Sequence, residues 1–273
     1  MNSKFSLHPL RVLLATLVIG TPIAVAAQPL TDANDIVARA NLASYYAGAD
    51  GRSEARMIIR DAQGREQRRQ FTVLRRDVED GGDQDFLVVF SQPADVRNTV
   101  YLVKKHAGAD DDRWLYLPGL DLVKRVSAGD KRTSFVGSNY FYEDVSGRGP
   151  DEDEHELAET TDTQYVLRHT PRDQSTAEFA SYVTWIDRET FLPMKIEYTN
   201  AAGQVYRRVE VLRVEDIEGY PTVTLSRVSD LAGGGQTDMQ FRYIGYDLGL
   251  DEDVFTERSL RNPPRKWLER PGS

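Results

Sequence analysis

The sequence predicts a mainly β protein: a strongly curved antiparallel sheet, or half-open barrel, covered by an N-terminal helix and a short C-terminal helix. Three observations carry that prediction. From Ser53 to Leu248 the apolar residues recur with a period of two. Turn sequences such as "DAQG", "SAGD", "DRET", "NAAG" and "AGGG" join many of the runs through few residues, which calls for antiparallel pairing. Helical spacing is confined to one stretch near each end. A meander of so many strands must curl or close, because long open sheets twist onto themselves.

Taken in order, the chain opens with Lys4 and Arg11 ahead of an apolar run from Val12 to Ile19, "VLLATLVI", followed by the small residues of "AVAAQ". Val25 and Ala27 occupy the −3 and −1 positions of a cleavage before Gln28, the pattern of a secretory signal peptide over residues 1–27. The apolar run is shorter than the ~20 residues that a membrane-spanning helix needs. The chain has no cysteine, so neither a lipidated cysteine nor a disulfide is available in the periplasm to which this leader points. Residues 28–273 carry no Pro/Ser linker, low-complexity tract or fixed-period repeat and are expected to form a single domain.

"TDANDIVARANLASYY", residues 31–46, reads as the first helix. Thr31 or Asp32 caps it, Ile36, Val37, Ala40 and Ala43 fall at helical spacing, and Gly48 follows its end. "SEARMIIR" then places Ala55, Met57 and Ile59 on one face, and "REQRRQFTVLRR" returns with Phe71 and Val73. Strands follow in "DFLVVF", "TVYLVKK", "RWLYLP", "LDLVKRV", "QYVLRHT", "ASYVTWID", "LPMKIEY", "QVYRRVEVLRVED", "YPTVTLSRVSD" and "QTDMQFRYIGYDL". "EDVFTERSLR" reads as the second, short helix.

The dry faces are rich in large, adaptable side chains. Met57, Ile59, Phe71, Val73, Trp114, Tyr116, Met194, Ile196, Tyr198, Met239, Phe241 and Tyr243 are the candidates to line an apolar interior. In a small sandwich they would be core. A curled sheet of this length can enclose more space than its own side chains fill, leaving room for an apolar ligand.

Catalytic patterns are missing. Ser138 in "VGSNY" fails the G-x-S-x-G elbow, "GRGP" is no dinucleotide loop, and His106, His155 and His169 lack metal-ligand spacing. "DEDEHE", residues 151–156, does not match a calcium loop and reads as a solvated charged turn. With 43 acidic against 34 basic residues, the chain as a whole is unsuited to nucleic acid or anionic membrane. No reaction, cofactor or metal is expected.

One run stands apart: "DDRWLYLPGLDLVKRVSAGDKRTSFVGSNYFYEDV", residues 111–145. It resembles the outer-membrane lipoprotein-sorting (LolA-like) family, whose members carry a W-x-Y-x-P segment, a K-R pair, then an S-F-x-G-S-D-[FY]-x-[YF]-E-D-like run. The matching residues are Trp114, Tyr116, Pro118, Lys124, Arg125 and the stretch Ser134, Phe135, Gly137, Ser138, Asn139, Tyr140, Glu143 and Asp144. Asn139 replaces the usual aspartate, which keeps hydrogen-bonding shape and loses a charge. The resemblance implies a half-closed barrel with helices over its open side. It further implies a non-enzymatic periplasmic carrier of lipid or lipoprotein acyl chains; the alternative is an accessory or sensor module beside an inner-membrane transporter of the resistance–nodulation–division type, or a signalling protein. Within the run, Gly137 and Ser138 are expected to let backbone turn or pass closely against aromatics. Asn139, Glu143 and Asp144 are expected to bond backbone or pair with Lys124, Arg125 and Arg132.

Overall fold

A computed structural model describes residues 28–175 and 177–269; the leader assigned to residues 1–27 lies outside the described residues. After helix α1 (Ala33–Tyr45) come strands β1 (Asp50–Arg60), β2 (Glu66–Asp77), β3 (Gln84–Gln92), β4 (Val100–Lys105), β5 (Asp112–Leu117) and β6 (Leu122–Arg125). A long connection holding the single helical turn α2 (Glu143–Ser146) leads to β7 (Asp153–Thr160). Then follow β8 (Gln164–Pro171), β9 (Ser181–Asp187), β10 (Pro193–Thr199), β11 (Val205–Ile217), β12 (Tyr220–Asp230) and β13 (Gln236–Tyr246). Two short helices, α3 (Glu257–Arg261) and α4 (Arg265–Leu268), end the described chain.

All thirteen strands form one antiparallel sheet in the order β6-β5-β4-β3-β2-β1-β13-β12-β11-β10-β9-β8-β7. It consists of two meanders joined where β1 pairs with β13, and it curves without closing, so β6 and β7 are free edges. The connection from β6 to β7 therefore has to travel from one edge of the sheet to the other.

Helix α1 begins as expected: Asp32 Oδ1 accepts from the amides of Asn34 at 2.8 Å and Asp35 at 3.2 Å. Ile36 and Ala40 bury against Tyr165, Leu167 and Ile186, which holds the helix over β8 and β9. Its other end is held by Arg75, whose guanidinium donates to the carbonyls of Tyr45 at 2.6 Å and Gly48 at 2.8 Å. A cation on the last carbonyls suits the negative end of a helix dipole.

Strands β3 and β4 are buried on both faces. Their inner side joins a core with Phe71, Tyr101 and Phe135; their outer side is covered by Leu250, Val254, Phe255 and Leu260 of the C-terminal segment. Fully burying each such side chain contributes roughly 1.5–3 kcal/mol, enough to hold short helices that would not form alone. The single C-terminal helix expected over 252–261 is thus a 3-10 turn, Glu252–Phe255, followed by α3.

One other expectation is corrected. "DEDEHE" is a turn only in its first two residues, Asp151 and Glu152, which end a 3-10 turn; residues from Asp153 onward form edge strand β7, whose solvent exposure tolerates the glutamates.

Candidate functional site

The run over Trp114 to Asp144 acquires its meaning from the topology. Its second half is the edge-to-edge connection, and it crosses the inner face strand by strand. Phe135 meets Phe71 of β2 at 6.1 Å between ring centroids, Phe90 of β3 at 5.6 Å and Tyr101 of β4 at 5.6 Å, and Tyr142 packs on Phe135 at 5.4 Å. Further along, Asn139 exchanges two hydrogen bonds with Thr237 of β13 at 3.0 and 2.9 Å. Tyr140 Oη lies 2.8 Å from Ser226 Oγ of β12, and Arg207 Nη2 of β11 donates to Asp144 at 2.5 Å. In the Thr237 bonds the Asn139 carbonyl does what a carboxylate would do, so no charge is called for.

Local geometry explains the small residues. Val136 and Gly137 have φ of 49° and 80°, and the tight turn brings the Phe135 amide to the Tyr140 carbonyl at 2.7 Å. A Cβ on Gly137 would meet nothing within 4 Å, so its left-handed conformation, not close passage, is what calls for glycine. Ser138 Oγ donates to the Phe135 carbonyl at 2.7 Å and is a turn residue, with no base beside it.

Beyond the turn lies a buried ionic network. Glu143, 3% exposed, accepts from Arg132 at 2.6 Å and is flanked by Lys131 at 3.4 Å and Arg148 at 3.3 Å. Burial alone would raise this carboxyl; the three cations outweigh it and hold Glu143 below the ordinary range. Arg132 also stacks over Phe179 at 4.5 Å and Tyr198 at 5.1 Å, while Arg207 stacks over Phe141 at 4.3 Å. Lys124 and Arg125 take no part. Both are exposed on edge strand β6, where Arg125 pairs with Asp112 and lies over Trp114.

Where the connection does not fill the inner face, a cavity of about 470 Å³ remains beneath α1. Of the residues expected inward, Phe71, Val73, Ile196, Tyr198, Met239 and Phe241 line it. Met57 and Ile59 face the same side but are packed into the core. Trp114 and Tyr116 sit on the opposite face, against the C-terminal helices; Arg113 and Leu115 are the inward residues of β5. Met194 is displaced by a bulge, since Pro193 pairs with Ile186 and Lys195 with the adjacent Trp185. A second bulge, where Arg52 pairs with Gly245 but Glu54 with Arg242, leaves Tyr243 at φ 50° and 55% exposed. The phase then changes, and Ile244 and Tyr246 line the cavity in its place.

Other lining residues escaped the sequence reading. Val37, Ala40 and Ala43 of α1 form the roof, and Val209 and Val211 of β11 extend the wall. The first set was visible as a helix face, the second as a period-two pair within "VYRRVEVL". A polar end was not visible at all. His155 Nε2, 2.7 Å from the Pro150 carbonyl, must donate there, so its Nδ1 accepts from His169 Nδ1 at 2.8 Å. Burial, reinforced by His155, depresses His169 to about 3, so His169 is neutral near pH 7. Both rings line the cavity beside Tyr182, which donates to Asp153 at 2.7 Å. Among the described residues no group of three metal-ligating side chains occurs, and no helix is long and apolar enough to cross a membrane.

Comparison with known proteins agrees with this geometry. A family model described as an uncharacterized protein family matches residues 82–262. The chain is similar to a DUF1329 family protein from Desulfovibrio piger, with 31% identity over 84% of this chain and 97% of that one, at a TM-score of 0.76. It is also similar to a domain from Vibrio parahaemolyticus provisionally named for outer membrane lipoprotein sorting: 26% identity, 84% and 98% coverage, TM-score 0.75. A LolA superfamily protein from Nitrosomonas europaea shares the fold at 19% identity, 84% and 99% coverage and a TM-score of 0.64. No curated protein matches the chain.

Proposed function

The chain belongs to the DUF1329 family, and from that premise we propose that it is a non-enzymatic carrier that holds an apolar chain of a lipid or lipoprotein between inner and outer membranes. The observation that carries the reading is the cavity of about 470 Å³ beneath α1, walled by aliphatic and aromatic side chains from both meanders. That volume falls within the few hundred to about 1,000 Å³ typical of small-molecule sites.

The physical need is direct. An acyl chain exposed to water is penalised by ~0.8 kcal/mol per methylene, so an aqueous gap can be crossed only in a dry container. Met239 and the aromatics Phe71, Tyr198 and Phe241 suit such a lining because they adapt to a flexible guest. The similarity to a domain provisionally named for outer membrane lipoprotein sorting supports the class of cargo. The leader pattern of residues 1–27 supports a periplasmic setting, with residues 28–273 working as one unit. Absence of catalysis is supported by the engagement of Ser138, His155 and His169 in structural hydrogen bonds.

The test is native mass spectrometry of the protein purified from its own periplasm, paired with displacement of a fluorescent fatty acid from delipidated protein. A co-purifying acyl species and saturable displacement are expected. Protein that is empty when isolated, and that binds no acyl probe, overturns the reading.

A further inference from the structure

A second hollow, about 530 Å³, lies on the other side of α1. It is bounded by Asn41, Leu42 and Tyr46 of the helix, by the turn between β4 and β5, and by residues 147–152. It is more polar than the cavity, and three buried cations stand in its wall: Lys105, Arg113 and Lys131.

Two of these cations are neutralised. Arg113 pairs with Asp111 at 2.6 Å, and Lys131 with Glu152 at 2.7 Å. Lys105 is 5% exposed, and among the described residues no carboxylate comes within ion-pair distance of its Nζ, although the neighbouring Lys104 pairs with Asp85 at 2.9 Å. One N–H of Lys105 donates to the Ser146 carbonyl at 2.8 Å, and the ammonium lies 4.9 Å from the Tyr45 ring and 5.8 Å from the Tyr46 ring. A buried charge is ordinarily paired, because desolvation without a partner is costly. The acids of this pocket favour the charge only from beyond ion-pair distance: Asp111 is held by Arg113 and Ser146, Glu152 by Lys131 and Arg148, and Asp110 and Asp151 are exposed. Burial accordingly lowers the affinity of Lys105 for its proton.

Asn41, Gly147, Gly149 and Pro150 line both hollows. Tyr45 stands at the same partition: its side chain belongs to the cavity lining, and Lys105 lies over its ring. A Cβ on Gly147 would fall 2.4 Å from that ring, so the backbone is pressed against the partition.

We propose that the polar pocket takes an anionic oxygen group, a carboxylate or a phosphate, on Lys105, and that this group is the head of the amphiphile whose tail fills the cavity. The second clause rests on the carrier reading above. A charge-assisted hydrogen bond in so dry a setting is strong, and it would select acidic over neutral guests.

The experiment uses the full mature chain and three probes: decanoic acid below its micellar concentration, 1-decanol, and inorganic phosphate. Calorimetric titration at pH 7 is expected to show the acid binding about tenfold tighter than the alcohol, a difference of about 1.4 kcal/mol. In Lys105→Met, which keeps the aliphatic stem, that preference should vanish while alcohol binding is unchanged; Lys105→Gln repeats the test should the methionine variant fold poorly. If the acid gains nothing over the alcohol but phosphate raises the melting temperature in a Lys105-dependent way, the anion site stands and its occupant is a free anion. If decanoic acid and decanol both fail to bind while phosphate protects, the carrier reading falls and the anion site stands. Absence of both acid preference and phosphate protection in the wild type overturns the proposal.

Discussion

Two regions of the same inner face meet different fates. Over β1 to β5, Phe71, Phe90 and Tyr101 receive Phe135 and Tyr142 from the edge-to-edge connection and close into a solid aromatic cluster. Over β8 to β13 the connection offers mainly polar anchors, Asn139 to Thr237, Tyr140 to Ser226 and Asp144 to Arg207, and α1 bridges what is left. Phe71, Phe86, Val88, Phe135 and Met239 belong to both, at the boundary between core and cavity. The difference teaches that the strands do not decide where this protein is hollow. The segment laid across them does.

Removing the anchor of that segment should break the contrast most severely. Glu143→Ala takes from buried Arg132 its ion-pair partner and removes one of the partners of Lys131 and Arg148, which keep Glu152, and a loss of about 3–5 kcal/mol is expected in urea unfolding, the usual result of breaking a buried ionic cluster. Phe135→Ala, at a side chain 1% exposed, should cost about 3–5 kcal/mol by the same measurement. The matching truncation in the hollow region, Ile196→Ala, should cost only about 1–2 kcal/mol, because a cavity wall lacks packing on one side. Its larger effect should be on the affinity for an acyl probe. If Ile196→Ala proves as destabilising as Phe135→Ala, the interior is filled and the contrast is lost.

The polar end of the cavity makes a pH prediction. His169 is neutral in the folded state down to about pH 3, whereas in the unfolded chain it takes up a proton near 6.5. Between those values the unfolded state binds one more proton, so stability falls with falling pH by up to about 1.4 kcal/mol per unit from this residue. Above 6.5 it contributes no slope. His169→Gln should flatten the urea midpoint between pH 6 and 4 relative to wild type; an unchanged slope refutes a neutral His169. The smallest effect should come from Leu120→Ser, at a position 72% exposed outside both regions, with a change within about 0.5 kcal/mol.

Much of the architecture was legible because it rests on period and punctuation. The meander, the helix cap at Asp32 and eight inward residues, six of them lining the cavity, follow from spacing alone. What failed did so for identifiable reasons. Trp114 and Tyr116 were placed inward as the large apolar set of their strand, but β5 is covered on both sides, and alternation cannot say which face is inner when both are dry. Met194 and Tyr243 lost phase at bulges, which shift side chains by one place without a composition signal. Strand β7 was hidden by its glutamates. With it went the His155–His169 pair, which sits in register across the β7–β8 hairpin, whereas the Lys105 pocket unites residues distant in sequence that only the folded chain brings together.

The sheet's failure to close has one more consequence. An unclosed sheet offers two rows of unsatisfied amides and carbonyls to any passing chain, the starting point for runaway association. This protein blunts each row differently: β6 is only four residues long and ends in Lys124 and Arg125, while β7 sets exposed Glu154, Glu156 and Glu159 along its margin. The residues that disguised β7 as a loop are thus the ones that keep a lidded, oily trough from recruiting copies of itself.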